Sequence, residues 1–360
     1  MEKKAYLVLA NGDAFEGTRF GAEGTPTGEL VFTTGMTGYM ETLSDPSYYG
    51  QMVMHTFPLI GNYGVIREDM ESPKSFATAY IVREHCKDPS NFRMQGDLDT
   101  FLKEENIPGL YGVDTRAITR IIREAGVMNA RIVDKPTPDS TDGLAEFRIR
   151  DAVKAVGGGE AQTVPADGEQ KFRVVLLDCG AKGNIAQTLK ARGCEVLIVP
   201  CNTTAEEMLA LSPNGIMLSN GPGDPAENTA IIAEIKKLIG QIPLFGICLG
   251  HQLLALASGL ATTKLKYGHR GANQPVKALS SGRVYITSQN HGYAVVADNL
   301  PEHIKLSMVN VNDNTCEGLD YPAVGAFSVQ FHPEASAGPL DTGFLFDRFL
   351  QLMEGEALCR

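Results

Sequence analysis

Four times between residues 172 and 258 a short apolar run is followed by a helical pattern. The runs are Phe172–Leu177, Glu195–Val199, Gly215–Leu218 and Ile242–Ile247. The helical stretches after them are Asn184–Ala191, Ala205–Leu211, Ala230–Ile239 and Gln252–Ser258. The runs do not alternate apolar with polar residues, so both faces of each strand are covered. Such strands, each followed by a helix, predict a doubly wound, mostly parallel α/β sheet. Sheets of this kind bind ligands beyond the carboxyl ends of their strands. The residues just after each strand are therefore where function is to be sought.

Upstream the rhythm differs. Residues 157–170 are Gly-rich and polar, from Gly157-Gly158-Gly159 to Gln170, and read as a linker. Residues 1–156 carry short runs broken by turn residues: Ala5–Ala10, Ala14–Phe20, Glu29–Thr34, Gln51–Phe57 and Ala77–Arg83. Two helices are expected there, Leu98–Glu105 and Thr115–Glu124. The second has Asp114 as cap, Gly126 as stop and Ile118, Ile121 and Ile122 on one face. The expected organisation is an N-terminal α+β domain (1–156), a linker (157–170) and an α/β domain (171–360).

Charge and cysteine usage narrow the function classes. Lys and Arg total 32 against 43 Asp and Glu, a net charge of −11, which repels nucleic acid and anionic membranes. No apolar stretch reaches the ~20 residues of a membrane span. The N-terminal apolar run, stopped by Asn11-Gly12-Asp13, is too short for a secretory signal. The seven cysteines, at 86, 179, 194, 201, 248, 316 and 359, form no CxxC pair. They read as free thiols, and a cytoplasmic location is expected.

The fourth strand runs into Gly246-Ile247-Cys248-Leu249-Gly250-His251-Gln252. Gly-x-Cys-x-Gly is the thiol counterpart of a nucleophile elbow. Flanking glycines let a helix leave the strand at a sharp angle, which aims the sulfur into the crevice. The helix N-terminus favours negative charge there. Taken alone, the pentapeptide fits a packed cysteine in a tight turn equally well. A thiol nucleophile needs a base, and Ser328-Val329-Gln330-Phe331-His332-Pro333-Glu334 offers one at the exit of a further strand, Ala323–Phe331. His332 can move a proton to a leaving amine, and Glu334 can orient the imidazole. An isolated His-Pro is more often only a loop. After the third strand, Asn220 and Gly221 lead into Pro222-Gly223-Asp224-Pro225, a rigid turn. There the Gly221 N–H, with that of Leu249, could receive an oxyanion.

Gly246–Gln252 together with the downstream His332-Pro333-Glu334 resembles the class I (triad) glutamine amidotransferases, from Lys171 to about Met353. Phe32–Glu41, Leu43–Gln51, Pro58–Gly64, Gly112–Thr119 and Asp178–Ile185 resemble the small (glutaminase) subunit of carbamoyl phosphate synthetase. The resemblance then spans essentially the whole chain. It implies glutamine hydrolysis by a Cys248, His332 and Glu334 triad. It also implies that L-glutamine is held by Ser47, Gly221, Gly223, Leu249, Gln252, Asn290, Gly292 and Tyr293. Ammonia would pass to a large synthetase subunit, in a heterodimer or larger assembly making carbamoyl phosphate for arginine and pyrimidine synthesis.

No phosphate-binding Gly-x-x-x-x-Gly-Lys-Ser/Thr loop, dinucleotide fingerprint or His-Glu-x-x-His cluster occurs in the sequence. The chain is expected to hold no metal and no cofactor, with ATP and Mg on the large subunit. Three rival readings are another amidotransferase subunit, a cysteine peptidase on the same sheet type, and a non-catalytic subunit that kept the fold. The N-terminal motifs oppose the first, the His-Pro-Glu motif the second, and the intact triad the third.

Overall fold

The structure, a computed structural model, describes residues 3–355. Cys359 and the first two residues lie outside the described residues. The other six cysteines are free thiols. The chain forms two compact units, Met1–Arg150 and Asp151–Arg360.

The first unit contains, among the described residues, nine strands: β1 (Lys4–Leu9), β2 (Ala14–Gly21), β3 (Thr27–Thr33), β4 (Gln51–His55), β5 (Leu59–Ile60), β6 (Ala79–Ile81), β7 (Glu84–His85), β8 (Pro108–Tyr111) and β9 (Met128–Val133). Seven of them close a barrel in the order β1-β2-β8-β6-β4-β3-β9, while β5 and β7 pair separately. Helices α1 (Tyr39–Ser44) and α2 (Leu98–Glu104) pack against it; Tyr39, Leu98, Phe101 and Leu102 share a core with Val31, Val53 and Tyr80. Helix α3 (Thr115–Ala125) starts where Asp114 accepts the Ala117 amide at 3.0 Å and ends at Gly126, whose φ is 100°. Ile118 and Ile122 are its buried stripe.

In the second unit, helix α4 (Ala152–Val156) is followed by β10 (Gln162–Val164), β11 (Phe172–Asp178), α5 (Gly183–Lys190), β12 (Cys194–Pro200), α6 (Ala205–Ala210), β13 (Gly215–Leu218), α7 (Thr229–Leu238), β14 (Leu244–Ile247) and α8 (Leu249–Ala257). Then come β15 (Ala261–Ala278), β16 (Val284–Val296), β17 (Lys305–Asn310), β18 (Cys316–Tyr321), β19 (Ala326–Val329) and α9 (Phe344–Met353). One sheet holds all ten strands, in the order β10-β12-β11-β13-β14-β19-β18-β17-β15-β16. The segment β12-β11-β13-β14-β19 is parallel, as the strand–helix rhythm predicts. The remaining strands add antiparallel, as a wing at one end and the short β10 at the other.

Successive residues of the parallel strands feed two cores, one on each face. Val175, Leu177, Ile216 and Leu218 pack with Met208, Ile235 and Leu253 of α6, α7 and α8. Val174, Leu176, Met217 and Phe245 pack with Ile185 and Leu189 of α5 and Phe346 and Phe349 of α9.

Residues 157–170, expected as a linker, include a strand: β10 pairs antiparallel with β12. Nor does α4 belong to the first unit. Val153 is buried in the second unit's core, and the Gly157 carbonyl accepts the Cys201 amide at 2.9 Å. The division therefore falls at residue 150 rather than 156. Three consecutive glycines hide this, because the ordering comes from backbone fit. A Cβ on Gly157 would sit 2.2 Å from the Asp178 carbonyl oxygen.

Candidate active site

Cys248 stands between β14 and α8 with φ 53° and ψ −102°, a conformation L-residues rarely adopt. Its neighbours make the turn possible. A Cβ on Gly246 would lie 2.6 Å from the Gly250 carbonyl oxygen, and one on Gly250 would lie 2.2 Å from that of Leu218. The Cys248 amide donates to Val329 O at 2.9 Å and the Gly250 amide to Ser219 O at 3.0 Å, so the elbow is pinned to strands on both sides. The Cys248 thiol points at the Asn290 carbonyl, with Sγ to O 3.7 Å.

His332 follows β19 and is anchored by its amide, which donates to Ser288 O at 2.9 Å. Its Nδ1 lies 2.7 Å from Glu334 Oε1, and both side chains are buried. Nε2 is buried without a well-formed hydrogen bond, and the Cys248 thiol is near enough to act on the ring. Burial and the Lys182 ammonium push the imidazole pKa down. Glu334 and Cys248 outweigh them and raise it to about 10. Burial pushes the Glu334 carboxyl up, but His332 and Lys182 pull it below the ordinary range.

Sequence reasoning gave Lys182 no role. It precedes α5, is buried, and places Nζ 3.7 Å from Glu334 Oε1. Asn184, two residues on, donates its side-chain amide to the Glu334 carbonyl. The signal available was the Asp178–Ile185 motif, which resembles the family without assigning either side chain.

The Gly221 loop lies against the elbow. A Cβ on Gly221 would be 2.7 Å from Leu249 Cδ2 and 2.1 Å from the Cys179 carbonyl oxygen, so only glycine fits. Asn220 braces the loop, accepting the Lys182 amide (3.0 Å) and donating to Gly180 O (2.9 Å). Gly223, at φ 88°, would carry a Cβ 2.9 Å from that of Ala152. Leu249 opens α8, so no carbonyl of that helix lies behind its N–H.

Gln252, Asn290, Gly292 and Tyr293 meet on the same side. Gln252 Nε2 donates to Tyr293 O at 2.8 Å and to Gln330 Oε1 at 2.9 Å. Both amide protons are thereby used, and Oε1 keeps its acceptor capacity. Asn290 and His291 lie on β16, opposite Arg270 and His269 of β15. Of the residues expected at the site from the second unit, Cys248, His332, Glu334, Gly221, Leu249, Gln252, Asn290 and Tyr293 are joined by contacts, and Gly223 and Gly292 flank them in the chain. Ser47 belongs to the first unit. It is buried in the single turn Pro46–Tyr48, with its amide donating to Asp45 Oδ1 at 2.9 Å.

Among the described residues no helix is long and apolar enough to cross a membrane.

Comparison with known proteins accounts for both units. Residues 7–132 match the family model "Carbamoyl-phosphate synthase small chain, CPSase domain", and residues 175–352 match "Glutamine amidotransferase class-I". The chain is 52% identical over 365 residues to the carbamoyl phosphate synthase small chain of Bacillus cereus, covering 99% of each. It is 50% identical over 365 residues to the carbamoyl phosphate synthase pyrimidine-specific small chain of Bacillus subtilis, again covering 99% of each. With the small chain of Listeria monocytogenes it shares 49% over 358 residues, 98% of each. Identity of this extent across both units, joined to the geometry around Cys248, places the chain in the carbamoyl phosphate synthase small-chain family.

Proposed function

We propose that this chain hydrolyses glutamine to glutamate and ammonia and supplies the ammonia to a large synthetase subunit that makes carbamoyl phosphate for arginine and pyrimidine synthesis. The observation that carries the reading is the buried Cys248–His332–Glu334 arrangement on a strained elbow. The Cys248 sulfur attacks the side-chain carboxamide. The tetrahedral oxyanion is received by the Gly221 and Leu249 N–H groups. His332, protonated at neutral pH, hands its proton to the departing ammonia, and a glutamyl thioester remains. Water deprotonated by His332 then releases glutamate and frees the thiol. Glu334 keeps the imidazole oriented through Nδ1. Gln252 Oε1 suits the substrate's α-ammonium, with Gly223 and the Asn290–Tyr293 backbone as further contacts. Ser47 is assigned to glutamine on the family resemblance.

The test pairs the full chain with its large subunit. Cys248→Ser should abolish glutamine-dependent carbamoyl phosphate formation and leave ammonia-dependent formation intact. Wild-type glutamine hydrolysis by the variant, or loss of the ammonia-dependent reaction as well, would refute the assignment.

A further inference from the structure

The hairpin that carries Asn290, Gly292 and Tyr293 has a ladder broken in two places. Pairing between β15 and β16 slips between Lys264 and His269 and again between Gly271 and Gln274. What lies between is an island of three pairs: His269 with His291, Arg270 with Asn290, and Gly271 with Gln289. Bulges on both sides leave such an island weakly registered.

Side chains supply what the ladder lacks. His269 Nε2 lies 2.8 Å from Asp313 Oδ2, and its Nδ1 lies 3.5 Å from Glu317 Oε1. Each ring nitrogen faces a carboxylate, with Asn310 Nδ2 also 3.5 Å from Nδ1, and a protonated ring would donate to both carboxylates. Burial pulls the His269 pKa down, but Asp313 and Glu317 more than reverse this and hold it at about 9. Asn310 Nδ2 donates to Glu317 Oε1 at 3.1 Å. Glu317 is fully buried on β18, and its carbonyl accepts the Gln330 amide at 2.9 Å, two residues before His332. Across the ladder His291 stands edge-on to His269, with ring centroids 4.9 Å apart. It donates Nδ1–H to Tyr293 O at 2.8 Å, the same carbonyl that Gln252 holds. The clamp thus joins the strand bearing Asn290 to the strand leading into His332.

We propose that His269 is a positioning residue of the glutamine site. Held between Asp313 and Glu317, it keeps the Gln289–Tyr293 segment in register with Cys248 and His332. The inference rests on the reading of that segment as glutamine-binding. The cluster also has the residue types of a metal site, with donor atoms of His269, His291 and Glu317 all within 4.8 Å of one another. A protonated His269 donating to both carboxylates would have no lone pair for a metal, so a proton rather than a metal is taken as the occupant.

Glutamine KM and kcat, thermal unfolding, bound metal and the rate of Cys248 alkylation by iodoacetamide would be measured in the full chain and its variants, with the large subunit present for the kinetics. His269→Gln should raise KM by roughly tenfold or more, the size of one misplaced hydrogen bond. Its kcat should change much less, and its alkylation rate should stay near wild type. Asp313→Asn changes a half-exposed partner, so it decides the matter if His269→Gln does not fold. It should raise KM in the same direction, and the double variant should be no worse than His269→Gln alone. An unchanged KM overturns the proposal, as do parallel losses in KM, kcat and alkylation. Stoichiometric divalent metal on the wild type that His269→Gln lacks would overturn it in favour of a metal site. A wild-type chain without glutaminase activity would remove the functional reading itself, a result distinct from an active wild type whose variants keep their KM.

Discussion

Removing the side chain of Cys248 altogether should cost less stability than trimming it to a methyl group. The residue sits at φ 53° and ψ −102°, where a Cβ is strained and a glycine is not. Holding a non-glycine residue in such a conformation costs about 1–3 kcal/mol. Glycine carries its own penalty of roughly 0.5–1 kcal/mol from the freedom it loses on folding. Cys248→Gly and Cys248→Ala both lose the sulfur, so packing and hydrogen bonding of the thiol cancel between them. The glycine variant should then be more stable than the alanine variant by about 0–2.5 kcal/mol. At an unstrained site the order would be reversed by about 0.5–1 kcal/mol. In a unit of this size each kcal/mol moves Tm by about 2–4 °C, within reach of calorimetry. Urea unfolding with an unchanged m-value would show that the variants differ in stability and not in the surface exposed on unfolding. Neither variant should hydrolyse glutamine. An alanine variant more stable than the glycine variant would refute the claim that the elbow stores strain.

Three other outcomes are expected. His332→Asn should damage glutamine hydrolysis about as much as loss of Cys248, Glu334→Gln should be milder, and the Cys248/His332 double variant should be little worse than either single one; near-additive losses in log rate would separate the pair. Ser47→Ala should raise glutamine KM by about 10- to 150-fold, the loss of one hydrogen bond to a charged group, while alkylation of Cys248 by a small electrophile hardly changes; an unaltered KM removes Ser47 from the site. Stability should fall on both sides of about pH 6.5. His332 and His269 are held at about 10 and about 9, so the folded chain keeps protons that the unfolded chain releases above 6.5, and their contribution fades as pH rises through those values. Burial holds His55 and His251 neutral down to about 3, so the unfolded chain gains protons that the folded one refuses as pH drops from 6.5. Denaturant midpoints that stay flat from pH 7 to 10 would contradict the first half of this argument.

The parallel core was legible because each of its strands is buried on both faces and punctuated by a helix. Gly215–Leu218 was placed to the residue, and no other boundary moved by more than three residues. The elbow was legible for a related reason: it needs glycines at fixed positions, so its geometry is written locally, while the roles of Cys248, His332 and Glu334 came from the combined motifs and the family resemblance. The antiparallel wing was not. β15 contains Gly268, Gly271 and Pro275, its burial follows no period, and its bulges erase the alternation by which a strand is recognised. Barrel closure was invisible for another reason. It depends on pairs such as Tyr6 with Val133 and Glu29 with Gln51, distant in sequence and unmarked in either strand alone. Lys182 was hidden because a lysine ahead of a helix reads as a solvated end. Only the fold reveals that it is buried against Glu334.

The short strand β10 has a consequence for anyone dissecting this protein. Cutting at Lys171, where the Gly-rich stretch ends, would strip β10 from β12 and leave a row of backbone donors and acceptors open at the sheet edge, a template for self-association. The same cut would remove α4, whose Ala152 and Val156 lie beneath Gly223 and Gly180. The floor of the loop expected to receive the oxyanion would go with it. A fragment begun at Asp151, twenty residues earlier than composition suggests, keeps both.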